Sequence, residues 1–150
     1  IIARKDETLI NSNISVTAKD ISEIQLAKAA LHTGCEVLMQ KKGIREQEID
    51  RAYIAGAFGN YINPENAKII GLIPDIPTVK ITFAGNTALS GAKMALISMK
   101  VRELADTLSK QIKYVELMAE EKFKREFIAS ILLPHKDLNR YPSIKKYVKN

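Results

Sequence analysis

The chain has 150 residues, of which 46% are hydrophobic and 27% are charged, and this composition is typical of one globular domain. No apolar run approaches the ~20 residues of a membrane-spanning helix, and a lone cysteine excludes both an internal disulfide and an iron–sulfur cluster held by this chain alone. Most of the net charge of +6 lies in residues 134–150, and the chain lacks the interleaved aromatic and basic residues of single-strand binders. We therefore expect a cytoplasmic protein that binds neither membranes nor nucleic acid.

A long amphipathic helix is predicted near the start of the chain, after a short strand over residues 14–17. Asp20 and Glu23 have the spacing of a capping box, and Gly43 follows two lysines in the manner of a C-terminal glycine. Between these ends, apolar residues recur at three- and four-residue steps, which predicts a buried stripe on a helix of about six turns. The stripe consists of Ile21, Ile24, Ala27, Leu31, Cys35 and Leu38, and Lys28 lies outside it.

Two buried strands, over residues 49–55 and 80–84, are predicted in the middle of the chain. A short helix that starts at Asn63 and Pro64 follows the first, and a helix rich in small residues follows the second. Strands that alternate with helices are typical of an α/β layer architecture. The later elements, in chain order, are predicted as a helix over residues 88–98, a helix over 101–112, a strand over 113–117 and a helix over 119–132.

Three segments differ in composition and are expected to differ in role. Residues 1–13 are polar and irregular, as in a connecting segment, and the chain begins with Ile1, so we expect a piece of a longer protein. Residues 14–135 are expected to form one lobe. Residues 136–150 form a basic tail, and such a tail is more often solvated than used to bind an acidic partner.

A glycine-centred turn with the sequence AGAFGN follows the first buried strand. Small residues at Gly56, Ala57 and Gly59 allow a ligand to approach the backbone, and Asn60 offers an amide to a phosphate or a ribose. The alternative is an ordinary tight turn between a strand and a helix, since a short glycine motif is weak evidence by itself. The spacing matches neither a Walker A loop nor a GxGxxG motif, which argues against a lysine-cradled triphosphate site.

A second glycine-centred turn follows the second buried strand. Gly85 and Asn86 end that strand, and Thr87 is the predicted N-cap of the next helix. Gly91 and Ala92 are expected to let this helix pack closely. Two such turns at neighbouring strand ends would form a crevice suited to an anionic, nucleotide-like ligand.

The histidines and the cysteine do not predict chemistry. His32 lies on the long helix and His135 lies near the tail, with no partner cysteine or carboxylate at a recognisable metal-ligand spacing. Cys35 belongs to the apolar stripe and is expected to be a small core residue. We therefore expect no metal site, and the catalytic residues stay unknown.

Three segments together resemble a known family. Their sequences are ISVTAKDISEIQLAKAALHTGCEVL, IDRAYIAGAFGNYINPENAKIIGLIPDIP and ITFAGNTALSGAKMAL. In order and spacing they resemble the C-terminal domain of the reductive activators of corrinoid proteins, which belongs to the superfamily of acetate kinases, sugar kinases, heat-shock ATPases and actin. The resemblance covers residues 14–135 and implies an α/β fold: one actin-like, ribonuclease H-like lobe with a mixed sheet flanked by helices.

The resemblance also implies a nucleotide site on the two turns. The adenosine-binding motif of the superfamily corresponds to residues 54–60, where the usual double glycine is replaced by Gly56-Ala57. A glycine- and alanine-rich helix that flanks the nucleotide corresponds to residues 85–92. The residues implied at the site are Gly56, Ala57, Phe58, Gly59 and Asn60 against adenosine, and Gly85, Asn86 and Thr87 at its border.

The family implies a larger protein with an iron–sulfur domain. Its members use ATP to drive electron transfer onto an inactive Co(II) corrinoid, which regenerates the Co(I) form needed for methyl transfer, and relatives in methanogens serve methylamine methyltransferase systems. We therefore expect ATP with magnesium, shared with a lobe outside this chain, and an iron–sulfur cluster elsewhere in the parent protein. The expected partners are a corrinoid protein and the rest of the parent chain, and a homodimer is left open. This chain alone is expected to be inactive.

Two other functions stay open. The turns can be purely structural, in a non-enzymatic domain whose surface and basic tail bind a protein partner. Alternatively, the chain can be one lobe of a small-molecule kinase of the same superfamily. Nucleotide binding separates the ATPase lobe from the interaction domain, and phosphate transfer by the parent protein would reveal the kinase.

Overall fold

A computed structural model describes residues 1–56 and 61–147. Two strands within these ranges, β1 (Ala52–Ala55) and β2 (Ile81–Gly85), form a parallel pair. No helix in the described ranges is both long and apolar enough to span a membrane. The helices are α1 (Ala18–Lys42), α2 (Pro64–Ile69), α3 (Thr87–Ile97), α4 (Met99–Gln111) and α5 (Phe123–Ser130), which confirms the predicted α/β class.

The sheet is smaller than the mixed sheet that the resemblance implies. In the described residues it consists of β1 and β2, joined by a crossover that contains α2. The antiparallel contribution is a single bridge between Ala3 and Ile14, in place of the strand predicted over residues 14–17. The paired residues are Ala52 with Ile81, Tyr53 with Thr82, Ile54 with Phe83 and, after a shift in register, Ala55 with Gly85.

The strand predicted over residues 113–117 is wrong. Residues 113–116 have no regular structure, and Leu117–Ala119 is a 3-10 helix. Tyr114 is exposed, and its hydroxyl donates to a Glu116 carboxylate oxygen at 2.5 Å. Aromatic and β-branched residues favour a strand when a neighbouring strand and a buried surface are present to pack against, and this segment has neither among the described residues.

Helix α1 begins one turn earlier than predicted because Thr17 is its N-cap. The Asp20 N–H donates to Thr17 Oγ1 at 3.2 Å, and the Thr17 N–H donates to Asp20 Oδ2 at 2.8 Å. The capping box is therefore formed by Thr17 and Asp20 rather than by Asp20 and Glu23. The helix ends as predicted at Gly43, which has a left-handed conformation.

The buried face of α1 is not the predicted apolar stripe. Ile21, Ile24, Leu31 and Leu38 are each about half exposed, and Cys35 is exposed, so the expectation that it is a core residue is wrong. Periodicity predicted the helix correctly, but polar partners on α5 and in residues 131–147, here called the C-terminal segment, decide which face of α1 is buried. The face that is buried consists of Lys28, Ala29, His32, Thr33, Glu36, Val37 and Met39.

Part of the basic tail belongs to the small core. Its described residues form two 3-10 helices, Leu138–Arg140 and Pro142–Tyr147, and both Tyr141 and Ile144 are buried. The expectation that the tail is only solvated is therefore wrong for these residues. The other buried apolar residues are Ala29, Val37, Met39, Ala67 and Ile76.

Helix α3 does not pack closely against the described part of the chain. None of its residues is buried, and a Cβ added at Gly91 would meet nothing within 4 Å. The close packing predicted for Gly91 and Ala92 is therefore not observed, and this helix presents its small residues to the outside of the described structure.

Candidate functional site

The two glycine turns lie side by side at the carboxyl ends of β1 and β2. Ala55 pairs with Gly85, and the Gly56 N–H donates to the Gly85 carbonyl at 2.8 Å. Both glycines have positive φ angles, 91° and 64°. Residues with a side chain rarely adopt such angles, so glycine is needed at each point where the chain turns away from its strand. The two turns are thus adjacent, as the sequence predicts.

The N-terminus of α3 lies directly beyond the second turn. Its N-cap is Asn86 rather than the predicted Thr87, because Asn86 Oδ1 accepts from the Leu89 N–H at 3.0 Å. Asparagine caps at least as well as threonine and stands one residue closer to the strand. Thr87 is the first residue of the helix and is exposed, and its N–H has no acceptor within the helix. This end of the helix therefore offers donors and a positive dipole to an anion.

The described part of the chain leaves space beside Gly56, at the start of the first turn. Among the described residues, a Cβ placed on Gly56 would meet nothing within 4 Å, so these residues leave room for a ligand to approach the backbone. The predicted contacts Ala57, Phe58, Gly59 and Asn60 lie outside the described residues. The structure thus brings Gly56 together with Gly85, Asn86 and Thr87, and their contact with a nucleotide stays a prediction.

A second group of reactive side chains lies between α1, α5 and the C-terminal segment. His135 Nε2 is 3.2 Å from Glu126 Oε1, and His32 Nε2 is 3.7 Å from the same oxygen. Arg140 donates to that oxygen at 2.5 Å and also contacts the Glu36 carboxylate. Both imidazoles are buried. Side chains from α1 and from the C-terminal segment therefore converge on one carboxylate of α5.

The hydrogen-bond pattern assigns a tautomer to His32. The Tyr141 hydroxyl donates to the Ile73 carbonyl at 3.1 Å, so it accepts from His32 Nδ1–H at 2.9 Å. His32 Nε2 consequently carries a lone pair, and it has no hydrogen-bond partner among the described residues.

His135 has the opposite tautomer. The Asp137 N–H donates to His135 Nδ1 at 2.9 Å, so the ring proton is on Nε2. That nitrogen donates to Glu126 Oε1 at 3.2 Å. The carboxylate of Glu126 thus faces a lone pair on one imidazole and a proton on the other.

Burial and neighbouring cations keep both imidazoles neutral. Burial is the main cause that lowers the pKa of His32 to about 3, and the charges of Arg140 and Lys28 act in the same direction, as would a proton on His135. Burial also lowers the pKa of His135, assisted by Arg140 and opposed by Glu126. Neutral imidazole is the form that binds metal ions.

No spacing in the sequence indicates this group, in which both histidines lie near the carboxylate of Glu126. Glu126 is 94 residues from His32, a separation at which no spacing rule applies. One signal was present: Lys28, His32 and Glu36 follow each other at four-residue steps and mark a polar face of α1. That face is the one that packs on α5 and the C-terminal segment.

Among curated proteins, the chain is similar to two whose names refer to corrinoid activation and corrinoid protein reduction. The chain is 37% identical over 120 residues to the corrinoid activation enzyme RamQ of Eubacterium limosum. It is 28% identical over 110 residues to the Co(II) methylated amine-specific corrinoid protein reductase of Methanosarcina barkeri. The alignments cover 80% and 73% of this chain, and 20% of each relative.

A solved structure shares the fold over nearly the whole chain. It is a reductive activator for corrinoid, iron–sulfur protein, with a TM-score of 0.90 and 36% sequence identity. The match covers 95% of this chain and 23% of that one. The chain therefore spans about a fifth of the length of the proteins it matches.

A family model also matches residues 1–145, and it describes the C-terminal domain of RACo, the ASKHA domain. Together with the superposition, this match confirms the predicted actin-like lobe and the resemblance to the corrinoid activators. The chain belongs to the family of the C-terminal ASKHA domain of RACo.

Proposed function

We propose that the chain is the nucleotide-binding lobe of an ATP-dependent, iron–sulfur reductive activator that returns a corrinoid protein from Co(II) to Co(I) for methyl transfer. The observation that carries this proposal is the adjacency of two glycine turns at one end of a parallel strand pair, in a chain of the ASKHA family. Relatives named for corrinoid activation and corrinoid reduction indicate the partner.

The two turns have different roles in the proposed site. The Gly56 N–H and the Gly85 carbonyl bond to each other, so they hold the turns together rather than contact the ligand. The first turn, through Asn60, would lie against adenosine. The second turn would border the phosphates, because the N-terminus of α3 at Thr87 supplies N–H donors there. Magnesium and the remaining phosphate contacts are assigned to a second lobe outside this chain.

Exposed apolar side chains support a contact with the rest of the parent chain. The apolar stripe of α1 is about half exposed, and α3 and α4 present further apolar residues. Contiguous exposed apolar surface is typical of protein contacts. We assign these surfaces to the parent chain, which would also carry the iron–sulfur cluster, because Cys35 is the single cysteine here. The residues on α3 and α4 are Leu89, Met94, Leu96, Ile97, Met99, Leu104 and Leu108.

Calorimetric titration of MgATP and MgADP into the full-length protein tests the nucleotide site. We expect the wild type to bind both nucleotides and Gly56→Val to bind them at least about tenfold more weakly, a loss of about 1.4 kcal/mol. The physical reason is that the valine side chain would extend into the space that the described residues leave beside Gly56.

Gly43→Val is the matched control for this titration. Gly43 also has a positive φ angle, 73°, and open space around its missing Cβ, but it caps α1. Both variants place valine at a positive φ angle, but Gly43 lies outside the two turns, so only Gly56→Val should lose nucleotide affinity. Unchanged nucleotide affinity in a folded Gly56→Val protein would indicate that the nucleotide binds elsewhere. A wild type that binds no nucleotide would favour the interaction domain.

Reduction of the corrinoid partner tests the activity. We expect the full-length protein to convert Co(II) to Co(I) corrinoid when ATP and an electron donor are both present, because the proposed lobe couples nucleotide binding to electron transfer. The visible spectrum of the corrinoid measures the conversion, and omission of ATP should abolish it. An unchanged rate without ATP would contradict the proposal, and ADP formation that requires a small-molecule phosphate acceptor would favour the kinase.

A further inference from the structure

We propose that His32, Glu126 and His135 bind a divalent cation of the zinc type, which fastens the C-terminal segment to α1 and α5. The ligands come from three separate segments that meet at one point. None of them belongs to the glycine turns, so the proposal stands independently of the nucleotide site.

The distances between the ligand atoms suit a single cation. Glu126 Oε1 lies 3.2 Å from His135 Nε2 and 3.7 Å from His32 Nε2, and the three ligand atoms lie within 4.8 Å of one another. Tetrahedral zinc with bonds of about 2.0–2.1 Å separates its nitrogen and oxygen ligands by roughly 3.3 Å. Small side-chain rotations would therefore complete the set. Two imidazoles and one carboxylate are a ligand set that zinc uses in proteins.

His32 gives a second, independent indication of a ligand. Its side chain is 2% exposed, and Nε2 has no hydrogen-bond partner among the described residues. Its Nδ1–H donates to the Tyr141 hydroxyl, which donates to the Ile73 carbonyl, and outer partners of this kind fix the ring and tautomer of metal-binding histidines. A buried lone pair without a donor is unfavourable, and a cation on Nε2 would satisfy it.

Binding requires an adjustment at His135. Its ring proton moves from Nε2 to Nδ1, so the imidazole stays neutral and no proton is released. The bond from the Asp137 N–H to Nδ1 is then exchanged for a bond from Nδ1–H to water. His135 thus gives up two hydrogen bonds, the one to Glu126 and the one from the Asp137 N–H, and the metal–ligand bonds that form compensate for them.

The charge around the site must also accommodate the cation. Arg140 and Lys28 oppose a positive ion, while the carboxylates of Glu126 and Glu36 favour it. Arg140 Nη1 lies 2.5 Å from Glu126 Oε1 and 3.3 Å from His135 Nε2, so it must withdraw from both ligand atoms before an ion can bind them. Arg140 contacts Glu36 with its other terminal nitrogen, so it can keep Glu36 and move to the second oxygen of Glu126.

Glu126 also gives an ion access to the site. It lines an open cleft of about 740 Å³, together with Gln40, Ala129 and Lys136. An ion can enter from this cleft, and a water molecule there can supply the fourth ligand that tetrahedral zinc requires.

Zinc content of the full-length protein tests the site. The protein is dialysed against EDTA, reloaded with zinc chloride, freed of excess zinc by gel filtration and analysed by mass spectrometry of the metal. We expect the wild type to retain about one zinc per chain more than His32→Gln. Glu126→Gln keeps the size of the side chain and should lose the same zinc. It can therefore replace His32→Gln in this measurement if His32→Gln does not fold. Equal zinc content in the wild type and a folded variant would overturn the proposal.

A control variant and a spectrum complete the test. Glu120→Gln makes the same chemical change at a carboxylate that pairs with Lys41 at 2.7 Å, and it should retain the zinc. The zinc-edge X-ray absorption of the wild type should show nitrogen and oxygen neighbours with the scattering of two imidazole rings. A shell dominated by sulfur would place the zinc elsewhere and overturn the assignment, and iron in the parent protein does not contribute at this edge.

Discussion

Gly71→Ala is expected to destabilise the fold by at least about 4 kcal/mol, which is exceptional for a single substitution. Gly71 has a φ angle of 74°. A Cβ at this position would overlap the carbonyl oxygen of Pro134 and lie 2.8 Å from both its carbonyl carbon and its Cα. Because the obstacle is backbone rather than a flexible side chain, the whole segment around Pro134 would have to move.

The collision at Gly71 would be transmitted to α1 through Lys28. This side chain is buried, and its Nζ donates to the carbonyls of Leu132 and Pro134 at 2.5 Å each. Burial lowers the pKa of Lys28 to about 8, so the fold depends on these carbonyls to stabilise a poorly solvated amine. A shift of Pro134 would remove one acceptor and leave a buried polar group less well satisfied.

The variant Gly43→Ala measures the cost of the left-handed backbone alone, without the steric overlap that is expected in Gly71→Ala. Gly43 has nearly the same φ angle, 73°, but its added Cβ would meet nothing within 4 Å, so we expect a loss of about 1 kcal/mol from the left-handed conformation alone. Hydrogen exchange of peptides from α1 and the C-terminal segment, measured in the full-length protein, reports both losses as local opening free energies. Equal losses in the two variants would contradict the predicted overlap with Pro134.

The features that the sequence predicted well are those with local causes. The glycine turns after β1 and β2 follow from glycine and from the switch between strand and helix patterns, and their adjacency follows from parallel pairing. The end of α1 at Gly43 and the start of α2 at Asn63 and Pro64 are likewise determined by residues within one turn.

The features that the sequence did not predict depend on distant contacts. The apolar stripe of α1 predicted the helix but not its buried face, because the partners that bury Lys28 and His32 come from the last 20 or so residues of the chain and from α5. The strand predicted over residues 113–117 has suitable residues but no neighbouring strand among the described residues. The contacts of His32 and His135 with Glu126 required the tertiary fold.

Arg140→Met, measured in EDTA, is expected to destabilise the fold by about 3 kcal/mol or more, because it removes the counter-ion of two largely buried carboxylates. Arg140 contacts Glu36 of α1 and donates to Glu126 of α5 at 2.5 Å. The Glu36 and Glu126 side chains are only 7% and 17% exposed. Methionine fills much of the volume of the arginine stem but provides no positive charge, and EDTA prevents a bound cation from replacing it.

Lys145→Met is the matched control for Arg140→Met. Lys145 belongs to the same C-terminal segment, but it is exposed, and its Nζ donates to Asn139 Oδ1 at 3.0 Å. Its replacement should change the opening free energy by less than about 0.5 kcal/mol. Arg140→Lys should recover only part of the loss, because a compact ammonium group does not bridge two carboxylates as a guanidinium does.

The loss in Arg140→Met should depend on pH through Glu36. Burial raises the pKa of the Glu36 carboxyl, and Arg140 opposes this effect, so removal of Arg140 raises that pKa further. A carboxyl group with a raised pKa in the folded state weakens the fold above that pKa, and the penalty vanishes as the pH falls below the unfolded value of about 4.3. Opening free energies, corrected for intrinsic exchange rates, should therefore differ most between wild type and variant near about pH 7 and converge toward about pH 4. If the difference in opening free energy between wild type and Arg140→Met stays constant over this pH range, the loss comes from packing of the arginine stem and not from the buried carboxylates.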